Sequence, residues 1–535
     1  MCLGFSPIIT FDTDICNMAL SLKSKVTRFA IFTRCLLLLL QMIFNYILPD
    51  HDAKVFNPPL PKSHAMPGDK VINFLLGGLR RWDGIYFLHI AEHGYTYMNC
   101  LAFFPLFPKV VEYLSKSLFF PLTFFMCQAN VLLVTAVIVN LYCFVKSAGA
   151  LYTLGGKVLN NEALAYKGAL LYCINPASIF FTAPYSEAMF AWLGFTAMIQ
   201  YEKKDNYKCS FFFGLASLVR SNGLVSACIL FYKRFKDVLG VFLEFLPRSR
   251  FSSKSNSIIL ILSSLYFLLP TMLIYALICI APFAYYQYYA YQMYCTDSGK
   301  SLSIPGFIYD YGRKQHYVLP TDTNPEWCTH FIPLSYSYIQ SHHWGVGFMR
   351  YYQTKQLPNF VLALPMVLLC ICAAFRYIRH NRFYSLTLGL LPELMYSKKL
   401  DKDKLKEEGF ESMNCLVYMI HMLVLLVFGI FFMHIQVITR LLASSCPLIY
   451  WYAAAVTTAN SSKYAMVNRW DVIKRNQQHT TQESGDLLQS NLLELVSTEI
   501  QNWQKNSAGH KLLLSYFMVY VLIGTAAFSN FLPWT

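Results

Sequence analysis

Charge is scarce in this chain. Only 14% of its 535 residues are Asp, Glu, Lys or Arg, against about a quarter in soluble domains. So little charge does not cover a soluble surface of this size. Several catalytic signatures are missing too. The sequence has no Walker A loop, GxSxG elbow or HExxH pair, which argues against ATP-driven, serine-hydrolase and zinc-protease chemistry. Cysteines never stand at the CxxC spacing of zinc sites, and no internal repeat is evident. A cleavable leader is not expected either: Asp12 and Asp14 precede the first apolar run and no small-residue cleavage site follows it.

What the chain does have is apolar residues, 56% of the total, gathered in long runs. About 20 such residues cross a bilayer. By that measure membrane runs lie at 26–48, 119–145, 162–181, 185–200, 210–232, 257–285, 357–378, 412–433, 436–456 and 512–532, with a weaker one near 383–396. The expectation is an all-α polytopic membrane protein with about 10–11 membrane segments. The formal net charge of +15 sits in clusters between the runs, such as Lys203/Lys204/Lys208 and Arg376/Arg379/Arg382. That is the positive-inside pattern, and with no nucleic-acid-binding motif beside it, no nucleic-acid partner is expected.

These flanks set an expected organisation. A cytosolic tail (1–25) leads into the first span (26–48) and a luminal loop (49–118). A bundle (119–285) follows, then a second luminal loop (286–355). The C-terminal segments (356–458) enclose a cytosolic loop (376–410), and a polar loop (459–511) precedes the last helix (512–535). The run 210–232 has basic ends and carries Arg220, Asn222 and Gly223 in its middle. A broken or re-entrant pair of half-helices is expected there, tolerated where it lines a cavity. The sequon Asn460-Ser461-Ser462 falls on the cytosolic side of this count.

The residues that suit chemistry gather in the luminal stretches. Trp82-Asp83 begins a segment that also holds Tyr86, His89, Glu92 and His93, with Gly94 as its stop. As a helix it places Asp83, Tyr86 and Ile90 on one face. An interfacial aromatic belt is the competing reading. Asp50 follows the first span directly, as a helix stop or a second carboxylate. Glu187, Arg220 and Arg440 fall within or beside apolar runs, where ionisable groups face a cavity or a partner. A guanidinium suits a phosphate. His342, His343, Trp344 and Arg350 suit a sugar phosphate or an interfacial anchor equally. Cys295 and Cys328 flank a polar luminal loop and are a candidate disulfide. Three D-x-D matches, at Asp12, Asp50 and Asp401, are too short a pattern to imply a nucleotide donor.

Longer blocks are more specific. Arg81-Trp82-Asp83, Ile90 to Tyr95, Ala102-Phe103-Phe104-Pro105, Tyr185-Ser186-Glu187-Ala188, Val219 to Ser226 and Phe283 to Ala290 come first. Tyr336 to Gln340, Trp344 to Tyr352, Pro358-Asn359-Phe360, Gln436 to Arg440 and Asn530 to Thr535 follow. Taken in this order, they resemble the GPI mannosyltransferase 2 (PIG-V) family. Leu106 departs from the pattern, where a small residue is expected, and the segments 396–410 and 460–510 match poorly.

The resemblance implies a GT-C glycosyltransferase of the endoplasmic reticulum membrane, with a catalytic acid on an early luminal loop. It implies dolichol-phosphate-mannose as donor, a mannosyl-glucosaminyl-phosphatidylinositol GPI precursor as acceptor, and an α1,6 linkage. Some relatives have a small accessory membrane subunit. The expected base is Asp83, with Asp50 and Glu187 behind it. Trp82, His89, Glu92, His93, Arg220, Asn222, His343, Trp344, Arg350, Gln436 and Arg440 are the expected substrate-binding residues. No cofactor or metal is required, because a basic side chain can meet the leaving phosphate. The competing readings are a GT-C enzyme with a different lipid-linked acceptor, and a lipid or solute transporter, whose broken helices would come in repeat-related pairs.

Overall fold

The computed structural model describes residues 8–53, 55–60, 66–245, 254–322, 324–390, 408–458 and 503–534. No strand occurs among the described residues. The N-terminal part comprises α1 (Ile8–Ile47), α2 (Pro67–Leu76), α3 (Asp83–His93), α4 (Leu106–Lys116) and α5 (Gln128–Leu159). Four shorter helices follow: α6 (Glu162–Cys173), α7 (Glu187–Glu202), α8 (Asn206–Ser217) and α9 (Gly223–Phe245). Then come α10 (Lys254–Cys295), α11 (Gly306–Lys314), α12 (Ser335–His342), α13 (Leu357–His380) and α14 (Arg382–Leu386). The last four among the described residues are α15 (Leu416–Phe432), α16 (Ile438–Ser445), α17 (Pro447–Thr458) and α18 (Ala508–Ser529).

Six helices among the described residues are long and apolar enough to span a bilayer: Leu22–Ile47, Gln128–Leu159, Leu269–Cys295, Thr354–His380, Met413–Phe432 and Ala508–Ser529. A seventh span results if the pair α16 and α17, bent by 83°, is taken as one. That is fewer than the 10–11 segments expected from the apolar runs. The difference lies in α6, α7 and α8, with 12, 16 and 12 residues. At 1.5 Å per residue none of them reaches across about 30 Å of hydrocarbon. They are apolar because they pack inside the bundle, and burial in protein selects the same residues as burial in lipid. The weak run near 383–396 gives only the five-residue α14 before residue 391, where the described chain stops.

Other boundaries move for local reasons. α5 starts after a 3-10 turn (Phe120–Phe124) and continues past Lys146 to Leu159, where Asn160 closes it in the left-handed region at φ 48°. Asn161 then caps α6 by accepting from the Leu164 N–H at 3.0 Å. α10 runs ten residues beyond the expected end of its span and carries Pro270 and Pro282 inside it. The expected break in 210–232 falls between α8 and α9, at residues 218–222. Gly223 makes that break compact: a Cβ there would meet the Ser217 backbone nitrogen at 2.5 Å. Most of the polar loop 459–511, its Asn460 sequon and most of the charged run Lys398–Glu408 lie outside the described residues.

Two arginines fasten this frame. Arg34 on α1 is buried and has no ion pair with an acid among the described residues. Its guanidinium donates to the carbonyls of Cys173 (3.0 Å) and Ser178 (2.8 Å) and to the Thr182 hydroxyl (3.0 Å). It therefore caps the C-terminal end of α6, where carbonyls lack helical partners. Arg81 donates to Asn45 (2.9 Å), to both Asp50 carboxylate oxygens (3.0 Å) and to the Ser529 carbonyl (3.0 Å). It ties the ends of α1 and α18 to the chain just before α3.

Candidate active site

α3 begins on a strained residue. Trp82 has φ 52° and ψ −131°, in a region that L side chains seldom occupy. Its indole Nε1 is buried with no hydrogen-bond partner among the described residues. Such a backbone persists only where its surroundings hold it. Here the next residue is held: the Asp83 N–H donates to the Tyr185 hydroxyl at 3.0 Å. Asp83 thus opens α3, where the helix dipole favours a carboxylate.

The Asp83 side chain meets a cation from the far end of the sequence. Arg440 Nη1 on α16 donates to Asp83 Oδ2 at 2.8 Å across 357 positions. The same nitrogen lies 3.6 Å from Glu187 Oε1, and that oxygen also accepts from Arg220 Nη1. Arg440 is further enclosed by the rings of Phe180 and Tyr185, at 5.3 and 5.6 Å. Glu187 opens α7 and is wholly buried. The result is a chain of alternating charge, Arg220–Glu187–Arg440–Asp83, drawn from α3, α7, α16 and the break before α9. Two carboxylates and two guanidinium groups balance, which makes their shared burial tolerable.

The Asp83 end of that chain opens onto a cavity. A cavity of about 540 Å³ is lined by Val55, Phe56, Trp82, Asp83, Tyr86, Gln315, Tyr317 and Trp344. Its walls are aromatic: Phe56 stacks on Tyr86 at 4.0 Å, Tyr86 on Phe103 at 4.5 Å, and Trp344 stands 6.3 Å from Tyr86. On the other side of Arg440 lies a narrow, mainly apolar cleft lined by Pro176, Phe180, Leu362, Gln436, Thr439, Tyr520 and Trp534. Gln436 accepts from the Tyr351 hydroxyl at 2.7 Å.

The remaining expected site residues are dispersed. Asp50 is spent on Arg81, its side chain half exposed, and it does not line the cavity. Asn222 donates to the Ser445 hydroxyl at 2.9 Å and so joins the helix break to α16. His343 is exposed beside Trp344 at 5.9 Å, and Arg350 is exposed with no ion pair among the described residues. The other three lie on α3 away from the cavity. His89 is buried against Tyr97 and bonded to the Thr96 hydroxyl at 2.7 Å, and burial pushes its pKa down to about 3. Burial raises the Glu92 carboxyl, with Arg80 pulling it back, and lowers the His93 imidazole 3.9 Å away. Cys295 and Cys328 form a disulfide with a Cα–Cα distance of 5.5 Å, closing the segment that carries α11.

Sequence reasoning passed over Tyr185, Gln315 and Tyr317 as site residues. Tyr185 had a signal, since it stands two residues before Glu187 in a recognisable block. Gln315 and Tyr317 had none, because nothing local says that α11 folds back over α3.

A family model described as "Mannosyltransferase (PIG-V)" matches residues 23–535. The chain is 37% identical to GPI alpha-1,6-mannosyltransferase 2 of Cricetulus griseus, over 96% of this chain and 99% of that protein. Identity to the Homo sapiens protein of that description is 36%, over the same shares of both chains. GPI mannosyltransferase 2 of Drosophila melanogaster is 33% identical over 96% of this chain and 100% of its own. Among solved structures, an oligosaccharyltransferase of Archaeoglobus fulgidus aligns with 93% of this chain at a TM-score of 0.36 and 11% identity. The present chain spans 55% of its length.

Proposed function

This chain belongs to the PIG-V mannosyltransferase family and is a multi-pass membrane enzyme of GPI mannose transfer, and we propose that Asp83 is its catalytic base. The proposed donor is dolichol-phosphate-mannose. The acceptor is the mannosyl-glucosaminyl-phosphatidylinositol precursor, and the product is its second, α1,6-linked mannose. The site faces the lumen of the endoplasmic reticulum, in a GT-C type arrangement.

The observation that carries this reading is the position of Asp83, the one carboxylate among the residues lining the 540 Å³ cavity. Asp50 is held by Arg81, and Glu187 is closed in between two arginines. A base must come within hydrogen-bond reach of the proton it takes, and of the three acids Asp83 alone lines the cavity. Its hydrogen bond from Arg440 at 2.8 Å keeps it aimed.

The chemistry is one displacement. The acceptor 6-hydroxyl gives its proton to Asp83 as its oxygen bonds to C1 of the β-linked mannose. The bond from C1 to the phosphate oxygen breaks, and its electron pair leaves with dolichyl phosphate. One such step inverts β to α and needs no covalent intermediate. The sugar passes through an oxocarbenium-like state, as in glycoside hydrolysis. Arg440 stands between the cavity and the apolar cleft. It is the cation for the departing phosphate, and the cleft suits the polyisoprenyl chain. With a guanidinium in that place the scheme requires no metal.

The test uses cells that lack their own second GPI mannosyltransferase. Expression of this chain is expected to restore surface GPI-anchored proteins and to consume the accumulated one-mannose glycolipid. If that lipid persists although the chain is abundant and correctly located, the acceptor assignment fails or a small partner subunit is missing. Co-expression of candidate subunits separates the two.

A further inference from the structure

The cavity has a further polar wall, formed by the end of α11. This short helix closes on His316, a non-glycine residue at φ 55°. The Tyr317 N–H returns to the Gly312 carbonyl at 2.9 Å and the His316 N–H to Arg313 at 3.2 Å. That is the left-handed cap in which glycine is the usual residue. The turn sets Gln315 and Tyr317, on either side of His316, into the lining of one cavity.

This wall is held firmly in place. Tyr97 donates from its hydroxyl to the Ile308 carbonyl at 2.7 Å. The Asn57 N–H donates to the Tyr311 hydroxyl at 3.0 Å. Gly312 lies so close to Tyr97 that a Cβ there would meet the ring at 2.6 Å. The Cys295–Cys328 disulfide spans the whole segment. Binding groups held in this way lose little freedom when a ligand arrives.

We propose that Gln315 and Tyr317 are specificity-determining residues that bind the glycan of the acceptor, not the donor sugar. This rests on the reading of Asp83 and Arg440 given above. The donor mannose is bonded directly to the phosphate, so it must sit at the Asp83–Arg440 pair. Arg440 does not line the large cavity, whereas Gln315 and Tyr317 do. The acceptor carries two sugars beyond its inositol and needs room on the side of Asp83 away from Arg440. About 540 Å³ falls within the roughly 300–1,000 Å³ of small-ligand sites. The lining also has the right chemistry. The indoles of Trp82 and Trp344 suit the apolar faces of sugars, and an amide and a phenol suit their hydroxyls.

The experiment measures mannose transfer in membranes from the deficient cells, which carry the full chain, Gln315→Ala or Tyr317→Phe at matched abundance. Dolichol-phosphate-mannose and a synthetic mannosyl-glucosaminyl-phosphatidylinositol are varied in turn. Loss of one hydrogen bond is expected to raise the acceptor KM about 3- to 10-fold in each variant. The turnover number and the donor KM should stay near the wild-type values, which a general loss of folding would not allow. A rise in donor KM with the acceptor KM unchanged, or no change in either, overturns the proposal. A wild type inactive toward this acceptor overturns the acceptor assignment and this inference together. Retained turnover in Asp83→Asn, with the acceptor KM still raised in Gln315→Ala, removes only the base assignment.

Discussion

Asp83 and Glu187 are both carboxylates near the same arginine, yet their surroundings give them different work. Asp83 faces the cavity, and its conversion to Asn keeps the volume and a hydrogen bond to Arg440 while removing the proposed base. Asp83→Asn is expected to reach wild-type abundance and to lose about 10²- to 10⁴-fold in turnover. Glu187 is wholly buried between Arg220 and Arg440. Glu187→Gln leaves those guanidinium groups facing each other with one negative charge fewer, and breaking a buried pair costs about 3–5 kcal/mol. Its expected phenotype is therefore low abundance and a lowered unfolding temperature in detergent.

His89 makes a prediction about pH. In the fold its pKa is pushed from 6.5 to about 3, so it stays neutral where the unfolded chain takes up a proton. Its contribution to stability is fully present above pH 6.5 and is lost as the pH falls toward 3. The slope is at most about 1.4 kcal/mol per pH unit. Thermal unfolding measured in steps of acidity should fall more steeply in the wild type than in His89→Gln. At this scale the sequence showed a good deal. The block around Trp82-Asp83 stands out by composition, and Arg440 stands out as a charge beside apolar runs. Their contact did not, because nothing local relates residues 357 positions apart.

Among the elements, α11 shows how a cavity wall depends on one missing Cβ. Gly312→Ala is expected to push α11 away from Tyr97, at a cost of about 1–3 kcal/mol. The acceptor KM should rise without a matching change for the donor, as transfer kinetics in membranes would show. Replacing Cys295 and Cys328 together by Ser removes the staple around the same helix and should cost about 2–4 kcal/mol. Faster proteolysis of the loop between α10 and α13 would report it. The break between α8 and α9 was legible because Arg220 and Asn222 interrupt an apolar run. The short helices α6, α7 and α8 were not distinguishable from spans, since hydropathy does not tell a protein interior from lipid. The Trp82 backbone and the His316 cap left no trace in the sequence, because neither residue type announces a positive φ.

For the whole molecule, the two long polar stretches converge on one face: α3 supplies the acid and the aromatic platform, and the segment after α10 closes over it. The site is thus built from both stretches and anchored by the C-terminal helices through Arg440 and Arg81. An acceptor sequon inserted beside the fully exposed Phe331 is expected to be glycosylated, a gain in mass removed by endoglycosidase, if this face is luminal. Continuous apolar runs made the membrane class legible. The depth of the bundle was not, because it depends on which short helices pack together.

The most direct test of the central claim is single-turnover mannose transfer by the purified full chain, with wild type and Asp83→Asn compared at saturating donor and acceptor. The account predicts that Asp83→Asn binds both lipids with near wild-type affinity and forms the α1,6 product at least about 100-fold more slowly. Product formation at the wild-type rate by Asp83→Asn would contradict it and leave the reaction without its proposed base.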